Sequence, residues 1–410
     1  MTNMILDSSV QRCIEEMGEA DILVGIPSYK NADTIAHVVK AAAEGMVKHF
    51  PDMRPVLVNS DGDSPDGTRD LVLSTPTPEA VNKIALIYPG RSGKGMALRA
   101  IMEIARALNA KICVTVDSDL RNITPEWIKL LANPIVERGY HFVTPYYTRH
   151  KYDATITNNV TFPMTRMLYR VEVRQPIGGD FAFSTELVES YLTKDVWDTD
   201  VGAFGIDIWM TTTAINEGFK ICQARLGAKV HNPRDPAASL GPMFVQVVGT
   251  LFSMMSLYEN NWKNVRGVTT APIFGEPRDE EPEPVPVTLK LMIDKFRTGS
   301  EEQAKTWQAI LTPENLAAVE EIAGLSYGRY EFPAEVWAKI VLDFSVAYNK
   351  SSSNRDEIVL ALTPLYYGRA GSMAKQMQRM TNQEAEEVIR AQAKVFEDLK
   401  PYLIERWDAA

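Results

Sequence analysis

The chain has 410 residues, 45% of them hydrophobic and 23% charged, with a formal net charge of −10. That length carries two or more domains and a large core. The acidic balance argues against a nucleic-acid surface and against a polybasic membrane anchor, and leaves room for a local basic or metal-bridged anion site.

The first part alternates strand and helix. DILVGIP (21–27) predicts a buried strand. The next stretch places Ile35, Val38, Val39, Ala42, Met46 and Val47 on one helical stripe. PVLVN (55–59) is a second strand, followed by a turn-rich loop, and KIALIYP is a third. KGMALRAIMEIARAL predicts a helix with Ala97, Ala100, Ile101, Ile104 and Leu108 inward. KICVTVD is the fourth strand. Thr124, Pro125 and Glu126 then supply an N-cap, a proline at the first helical position and an acid in the first turn. YHFVTPYY is a fifth strand. This alternation predicts a parallel sheet covered on both faces.

From Gln175 the pattern changes to QPIGGDFAFS, a helix to about Leu192, an acidic loop and a helix over GIDIWMTTTAINEGF. KICQARLGAKVHNP is a strand leading to His231. LGPMFVQVVGTLFSMMSL has the length of a membrane span, but its Gln, Ser, Thr and Pro residues favour a buried helix, so no transmembrane anchor is expected. GEPRDEEPEPVP reads as a linker. Helices follow at KLMIDKFR, EEQAKTWQAIL, EVWAKIVLDFSVAY and from 383 to about 407. The expected organisation is an α/β domain over 1–274, a linker over 275–286 and a helical domain over 287–410, whose helices offer homodimer surfaces.

Cys13, Cys113 and Cys222 form no CxxC pair and read as apolar fillers in a reducing compartment. The N-terminal stretch lacks a basic segment followed by an apolar one, so a cytoplasmic location is expected.

In such sheets ligands bind beyond the carboxyl ends of the strands. There lie Pro27-Ser28-Tyr29, Asn59-Ser60-Asp61, Gly90-Arg91-Ser92-Gly93-Lys94-Gly95 and Asp117-Ser118-Asp119, which predicts one shared rim. The paired aspartates cap a helix, sit on a turn or hold Mg²⁺ or Mn²⁺. The glycine-rich loop opens a helix and is either an anion site of backbone N–H groups plus Lys94 or a plain turn; it is neither a Walker A loop nor a GxGxxG motif. The 61–68 stretch, DGDSPDGT, is turn chemistry. His231 ends a strand and is a candidate metal ligand or a structural histidine. Asp207 is expected to cap its helix. Together these features fit a nucleoside diphosphate joined to a further group.

PSYKNADTI, SDGDSPDGT, SGKGMALR, VDSDL, IGGDFAFS, FGIDI and HNPR occur in an order that resembles GT-A glycosyltransferases, most closely the retaining glucosyl-3-phosphoglycerate, mannosylglycerate and glucosylglycerate synthases. The resemblance implies a GT-A (Rossmann-like) nucleotide-sugar-binding domain with a helical C-terminal domain. It implies that Pro27, Ser28, Tyr29 and Asn31 border the nucleobase and ribose, with Ser60 or Asp61 completing that pocket; Asn31 stands where the synthases usually carry an acid. Gly93 and Lys94 would meet the donor, Asp117 and Ser118 the ribose, and Gly179 and Asp180 the sugar. Asp119 and His231 would bind Mg²⁺ or Mn²⁺. Asp207 would orient donor hydroxyls, and Arg234 would neutralise the leaving diphosphate. Phosphoglycerate synthases carry a glycine-glycine-arginine-valine-threonine loop for the acceptor. Here the matching stretch is Thr157-Asn158-Asn159-Val160-Thr161, so Asn159, Thr161 and Asn232 are the acceptor candidates. Loss of the arginine favours free glycerate over 3-phosphoglycerate.

Two other readings compete. A glycosyltransferase of the same fold acting on a lipid or polysaccharide is disfavoured by the missing spans and basic amphipathic helices. A nucleotidyltransferase is disfavoured because Pro27-Ser28-Tyr29 stands where such enzymes usually carry a glycine- and arginine-rich loop, and a non-catalytic nucleotide-sugar binder would not need the metal residues.

Overall fold

The computed structural model describes residues 6–231, 241–278 and 280–409. The chain sorts into two compact units that alternate along the sequence: Met1–Thr148, Ile177–Asn232 and Ala271–Pro282 form one, and Arg149–Pro176, Pro233–Thr270 and Glu283–Ala410 the other.

In the first unit, runs of β-branched and aliphatic residues make the sheet strands β1 (Ile22–Ser28), β2 (Pro55–Asp61), β3 (Asn82–Ile87), β4 (Ile112–Thr115) and β5 (Phe142–Thr148). β6 (Val171–Glu172) belongs to the second unit. β7 (Phe181–Ser184) and β8 (Ile221–Ala228) return to the sheet; β9 (Thr269–Thr270) pairs with β6, and β10 (Ile273–Phe274) lies at the sheet edge. The order is β10-β8-β5-β7-β4-β1-β2-β3. Every residue of β1, β2 and β4 is buried, as a sheet covered on both faces requires.

The expectation of a parallel sheet needs one correction. β7 lies antiparallel between β4 and β5, so the sheet is mixed. The chain leaves β5 for the second unit and re-enters the sheet at the end it left, so β7 runs back antiparallel.

The helices of this unit include α1 (Ser8–Met17), α2 (Ile35–His49), α3 (Thr68–Ser74), α4 (Lys94–Ala107) and α5 (Pro125–Arg138). Val38, Val39, Ala42 and Met46 of α2 join Ile128 and Leu131 of α5 in one core with Val24 and Ile26. Gly25 faces the other way, by strand alternation. A Cβ there would lie 2.3 Å from Ile101 Cγ2 of α4. Only glycine admits that approach, and Gly25→Ala would overpack the core at a cost of about 1–3 kcal/mol. Thr124 stands at the N-cap of α5 with Pro125 and Glu126 after it, but its hydroxyl makes no capping bond. Cys113 and Cys222 are buried thiols within β4 and β8.

The second unit is mostly helical. It contains α6 (Phe162–Tyr169) and the helices Gly241–Leu257, Leu289–Glu302, Ala334–Lys350, Arg355–Gln376, Asn382–Asp398 and Lys400–Ala409. The helix expected from 383 to about 407 is two helices. The longest, Arg355–Gln376, has no predicted counterpart. Every residue from 365 to 374 is buried, so that half carries no amphipathic stripe to read, and Pro364 lies within the continuous helix.

Stretches 149–176 and 241–270, expected in the first domain, belong to this second unit. Arg174 pairs with Glu386 at 2.8 Å, and Arg166 with Glu397 at 3.3 Å. Phe244 stacks on Tyr366 with centroids 4.4 Å apart. The predicted linker straddles the boundary between the units: its Glu280 carboxylate accepts the Ala228 N–H at 3.0 Å within the first unit. Among the described residues no helix is long and apolar enough to cross a membrane.

Candidate functional site

The ends of β1 and β2 hold a hydrogen-bonded corner built from neutral donors. Pro27 and Ser28 lie beside Ser60 and Asp61 in register. The Ser28 hydroxyl donates to Asp61 at 2.5 Å, and the Asn59 amide donates to Ser28 Oγ at 2.8 Å. Ser64 adds its N–H at 2.6 Å and its hydroxyl at 2.9 Å to the Asp61 carboxylate. Asp61 is thus buried but satisfied, as the P-D-G-type turn residues after it allow. The Ser60 hydroxyl is buried without a hydrogen-bond partner.

Asn31 ties this corner to the Asp117 loop. Its side-chain oxygen accepts the Tyr29 N–H at 2.9 Å and the Ser118 hydroxyl at 2.8 Å. A backbone N–H only donates, so the oxygen, not the amide nitrogen, faces it. Tyr29 is 55% exposed and offers a ring to solvent. The shared rim expected from sequence is therefore present from β1 through β2 to the loop after β4.

Beside it lies a charged cluster. Lys94, the first residue of α4, places Nζ 3.1 Å from Asp117 and 3.3 Å from Asp207. Lys229 reaches Asp117 at 2.6 Å, Asp180 at 2.9 Å and the Gly178 carbonyl at 2.9 Å. Asp180 also accepts the Asp117 N–H at 2.7 Å and the Tyr147 hydroxyl. Burial alone would lower the Lys94 ammonium, but the Asp117 and Asp207 carboxylates outweigh it and hold it well above the usual lysine range. Burial would raise Asp117, and Lys229 and Lys94 reverse that, leaving it well below the usual carboxylate range. Burial pushes Asp207 up, with Lys94 offsetting part of the shift. Burial also pushes Asp180 up; Lys229 opposes this and the charge of Asp117 adds to it. Asp207 Oδ1 is buried with no hydrogen-bond partner. A buried orphan acceptor of this kind suits a ligand hydroxyl.

Three sequence expectations change here. Asp207 is not the cap of α8 (Ile206–Asn216); Gly205 holds that position and Asp207 points to Lys94 instead. Asp117 is engaged by two lysines, so it is an ion-pair member. The glycine-rich loop is not an open cradle of N–H groups: Gly93 donates to the Tyr88 hydroxyl at 2.9 Å and Gly95 to the Ala203 carbonyl at 3.0 Å. Cβ atoms at these glycines would lie 2.3 Å from Gly202 O and 1.9 Å from Val201 O. Close packing of two loops accounts for both glycines. Gly179 is required twice over: its φ is +86° and a Cβ would stand 2.1 Å from Asp117 Oδ2.

Lys229 was absent from the sequence candidates. Its signal is a charged residue inside the apolar run LGAKV, where burial demands an acidic partner.

Asp119 sits in a turn after β4. Leu120 and His231 form an antiparallel bridge, reinforced by Arg121 N–H donating to Val230 O at 2.9 Å. This pairing brings the His231 segment alongside Asp119, and both residues are half-buried. Among the described residues no group of three or more His, Cys, Asp or Glu is placed to hold a metal ion. Asn232 and Arg234 lie outside the described residues. Asn159 and Thr161 belong to the second unit, in a π-helical turn, Thr157–Thr161, whose side chains are all buried.

Residues 81–253, less than half of the chain, match the family described as mannosylglycerate synthase, GT domain. That segment includes the whole charged cluster together with Asp119 and His231. Among solved structures, the chain is similar to glucosyl-3-phosphoglycerate synthase from Mycobacterium tuberculosis in complex with Mg²⁺ and uridine diphosphate, at 24% identity over 61% of this chain and 84% of that one, with a TM-score of 0.45. It is similar to the same enzyme in complex with Mn²⁺, UDP-glucose and phosphoglyceric acid, at 24% identity over 59% and 84%, with a TM-score of 0.45. A further mycobacterial protein matches at 27% identity over 61% and 79%, with a TM-score of 0.45. No curated protein matches the sequence. The matched segment resembles a glycosyltransferase domain of the mannosylglycerate synthase type.

Proposed function

We propose that the chain is a metal-dependent retaining glycosyltransferase that moves a hexose from a nucleotide-diphosphate sugar to a small hydroxy acid, with glycerate favoured over 3-phosphoglycerate. One observation carries this reading. The segment that matches a glycosyltransferase domain is also the one that gathers Lys94, Asp117 and Asp207 at the strand ends, with Asp207 Oδ1 left over as an acceptor.

In this reading Pro27, Ser28, Tyr29, Asn31, Ser60 and Asp61 border the nucleoside, and Tyr29 supplies a stacking ring. Gly93, Lys94, Asp117, Ser118, Gly179 and Asp180 surround the diphosphate and sugar. The free oxygen of Asp207 accepts a sugar hydroxyl and Lys94 holds that carboxylate in place. Arg234 assists the leaving diphosphate. The acceptor hydroxyl bonds to the anomeric carbon from the leaving-group side as the carbon–oxygen bond to the diphosphate breaks. A diphosphate oxygen takes the hydroxyl proton, so no carboxylate acts as covalent nucleophile.

A divalent ion fits the donor set. Asp119 offers a carboxylate oxygen and His231 an imidazole, on two segments tied by the Leu120–His231 bridge. Bound there, Mg²⁺ or Mn²⁺ would neutralise charge on the departing diphosphate, whose own oxygens complete the coordination.

Features of the second unit support the acceptor preference. The Asn159 amide donates to Thr155 O at 2.9 Å, and the residue is buried. The neighbouring cations are engaged: Arg149 with Asp153 at 2.7 Å, Arg166 with Glu172 at 2.7 Å, and Lys151 with the Met380 carbonyl at 2.7 Å. A doubly charged phosphate wants a dedicated cation more than a single carboxylate does. With Thr161 and Asn232, Asn159 is the proposed acceptor set. We place the protein in the cytoplasm as a homodimer, which light scattering tests.

The deciding experiment is nucleotide release from UDP-glucose, GDP-glucose and GDP-mannose, with glycerate or 3-phosphoglycerate, in Mn²⁺ or EDTA. Release that needs both glycerate and metal is expected, and Asp119→Ala and His231→Ala should each abolish it. Full activity in either variant, or no release with any pair, rejects the reading.

A further inference from the structure

Lys229 has a place that the transfer chemistry does not explain. β8 carries a bulge: Tyr146 pairs with Arg225 while Tyr147 pairs with Gly227, leaving Leu226 as the extra residue. Gly227 has φ +85°, and a Cβ there would meet Glu280 Oε2 at 2.3 Å. Glu280 in turn accepts the next N–H, that of Ala228. Bulges re-aim the residues around them. Here the strand end is turned and pinned so that Lys229 reaches beneath Asp117 and Asp180, with its Nζ 5.2 Å from the centroid of the Tyr147 ring.

A lysine ammonium has three donors and no acceptor. Lys229 meets three acceptors of the chain itself, Asp117, Asp180 and Gly178 O, at 2.6, 2.9 and 2.9 Å. Its side chain is 5% exposed. No donor is left over for a substrate. Lys94, by contrast, meets two carboxylates at longer distances, 3.1 and 3.3 Å, and its side chain is 19% exposed. One lysine closes the cluster from inside and the other faces the ligand side.

We propose that Lys229 is a positioning residue for the transfer reaction: it binds Asp117 and Asp180 into one unit, and so fixes Lys94 between Asp117 and Asp207. This rests on the transferase reading for its kinetic consequence but not for its structural one. Removal of the Lys229 charge leaves one lysine to serve three aspartates. Asp117 and Asp180 then repel each other, and Lys94 is drawn inward to replace the lost cation. The donor diphosphate loses that cation, and Asp207 loses the lysine that holds its carboxylate.

The test uses Lys229→Met and Lys229→Arg in the full chain. In Lys229→Met, kcat/KM for the donor is expected to fall about 10- to 100-fold, the usual size for loss of a residue that orients others at a site. The fall should sit mainly in donor KM. Lys229→Arg keeps the charge and should recover most of the loss. Combining Lys229→Met with Asp117→Asn should cost less than the sum of the two changes, since the excess carboxylate is removed with its partner. Crystals of Lys229→Met should show the Lys94 ammonium moved away from Asp207 towards Asp180. That last readout does not depend on which reaction the chain catalyses. An unmoved Lys94 overturns the proposal, as does unchanged donor KM or equal damage in Lys229→Arg and Lys229→Met. If Lys229→Met does not fold, Tyr147→Phe weakens the same unit by removing a hydroxyl from Asp180, and an unchanged donor KM there overturns the proposal as well. If the unaltered chain releases no nucleotide, the transferase reading fails, and the position of Lys94 in the variant still decides this one.

Discussion

Two ways of burying a carboxylate stand side by side at the rim of the sheet. Asp61 is met by neutral donors, the Ser28 hydroxyl and both donors of Ser64. Asp117, Asp180 and Asp207 are met by ammonium groups, those of Lys94 and Lys229. The neutral corner has each partner fixed on β1, β2 or the turn after it, so it holds a shape. The charged cluster has fewer cations than anions, and Asp207 Oδ1 is left over. Its pairings can be exchanged when a charged ligand arrives. In the proposed function the corner borders the nucleoside, which needs a mould, and the cluster meets the diphosphate and sugar, which need adjustable charge.

The contrast breaks most sharply at Lys94. Lys94→Ala leaves Lys229 alone against three aspartates. Nucleotide release should fall about 100- to 1000-fold, the range for loss of one charge-stabilising group from an active site. Steady-state release assays check it, and a loss under about tenfold would mean that the cluster is structural. Asp207→Asn should cost less. It keeps the shape but trades a charged acceptor for a neutral one, worth about 1.5–3 kcal/mol when the partner is an ion or a ligand hydroxyl. The expected fall in kcat is about 10- to 100-fold. A drop confined to donor KM would move Asp207 from transition-state contact to ground-state binding.

The neutral corner was more legible in the sequence than the charged cluster. Runs such as ILVGIPS and PVLVNSD announce buried strands, and DGDSPDGT announces the turn that follows. Their residues are neighbours along two adjacent strands, so the pattern that predicts the strands also assembles the corner. The charged cluster is assembled by topology. Lys229 lies 112 residues from Asp117, and β7 enters the sheet antiparallel after an excursion through the other unit. No local spacing reports such a pairing. The aspartate pair at 117 and 119 therefore left a helix cap, a turn and a metal site open, whereas Asp117 turns to the lysines and Asp119 lies in the turn beyond. The helical unit was hidden for a different reason: Arg355–Gln376 is buried over its second half and has no polar face to mark its period.

A smaller effect sharpens the neutral side. Asp61→Ala removes the acceptor for the buried Ser28 hydroxyl and for the half-buried Ser64 N–H. The loss should be about 1–3 kcal/mol of unfolding free energy. Asp61→Asn, which keeps one acceptor oxygen, should lose less. Urea unfolding with an unchanged slope reads the difference. Equal losses would mean that the charge, not the acceptor count, holds the corner, and would erase the distinction drawn here.

The smallest expected effect comes from a third kind of burial, a cation with no acid paired to it among the described residues. Lys400 opens the helix Lys400–Ala409, is 4% exposed, and donates to the Leu168 carbonyl at 3.2 Å. Burial first, and then the charge of Arg170, push its ammonium down to about 8 from the ordinary 10.5. Lys94 is driven the opposite way by its carboxylates. The signs of the two pH effects therefore differ. A lysine with a lowered folded value burdens the fold while both states are charged, below about pH 8. The burden fades as pH climbs towards 10.5, because the unfolded chain then holds the proton that the folded chain has lost. Lys400→Met should thus raise the melting midpoint by a few degrees at about pH 7, and the gain should shrink between about pH 8 and pH 10. Lys94→Met should lower the midpoint at neutral pH, since a raised folded value contributes stability that is fully present below the unfolded one. Thermal melts of both variants across that range give the two slopes. A Lys400→Met gain that stays constant with pH would trace it to packing of the methionine, and the contrast between paired and unpaired buried lysines would then rest on Lys94 alone.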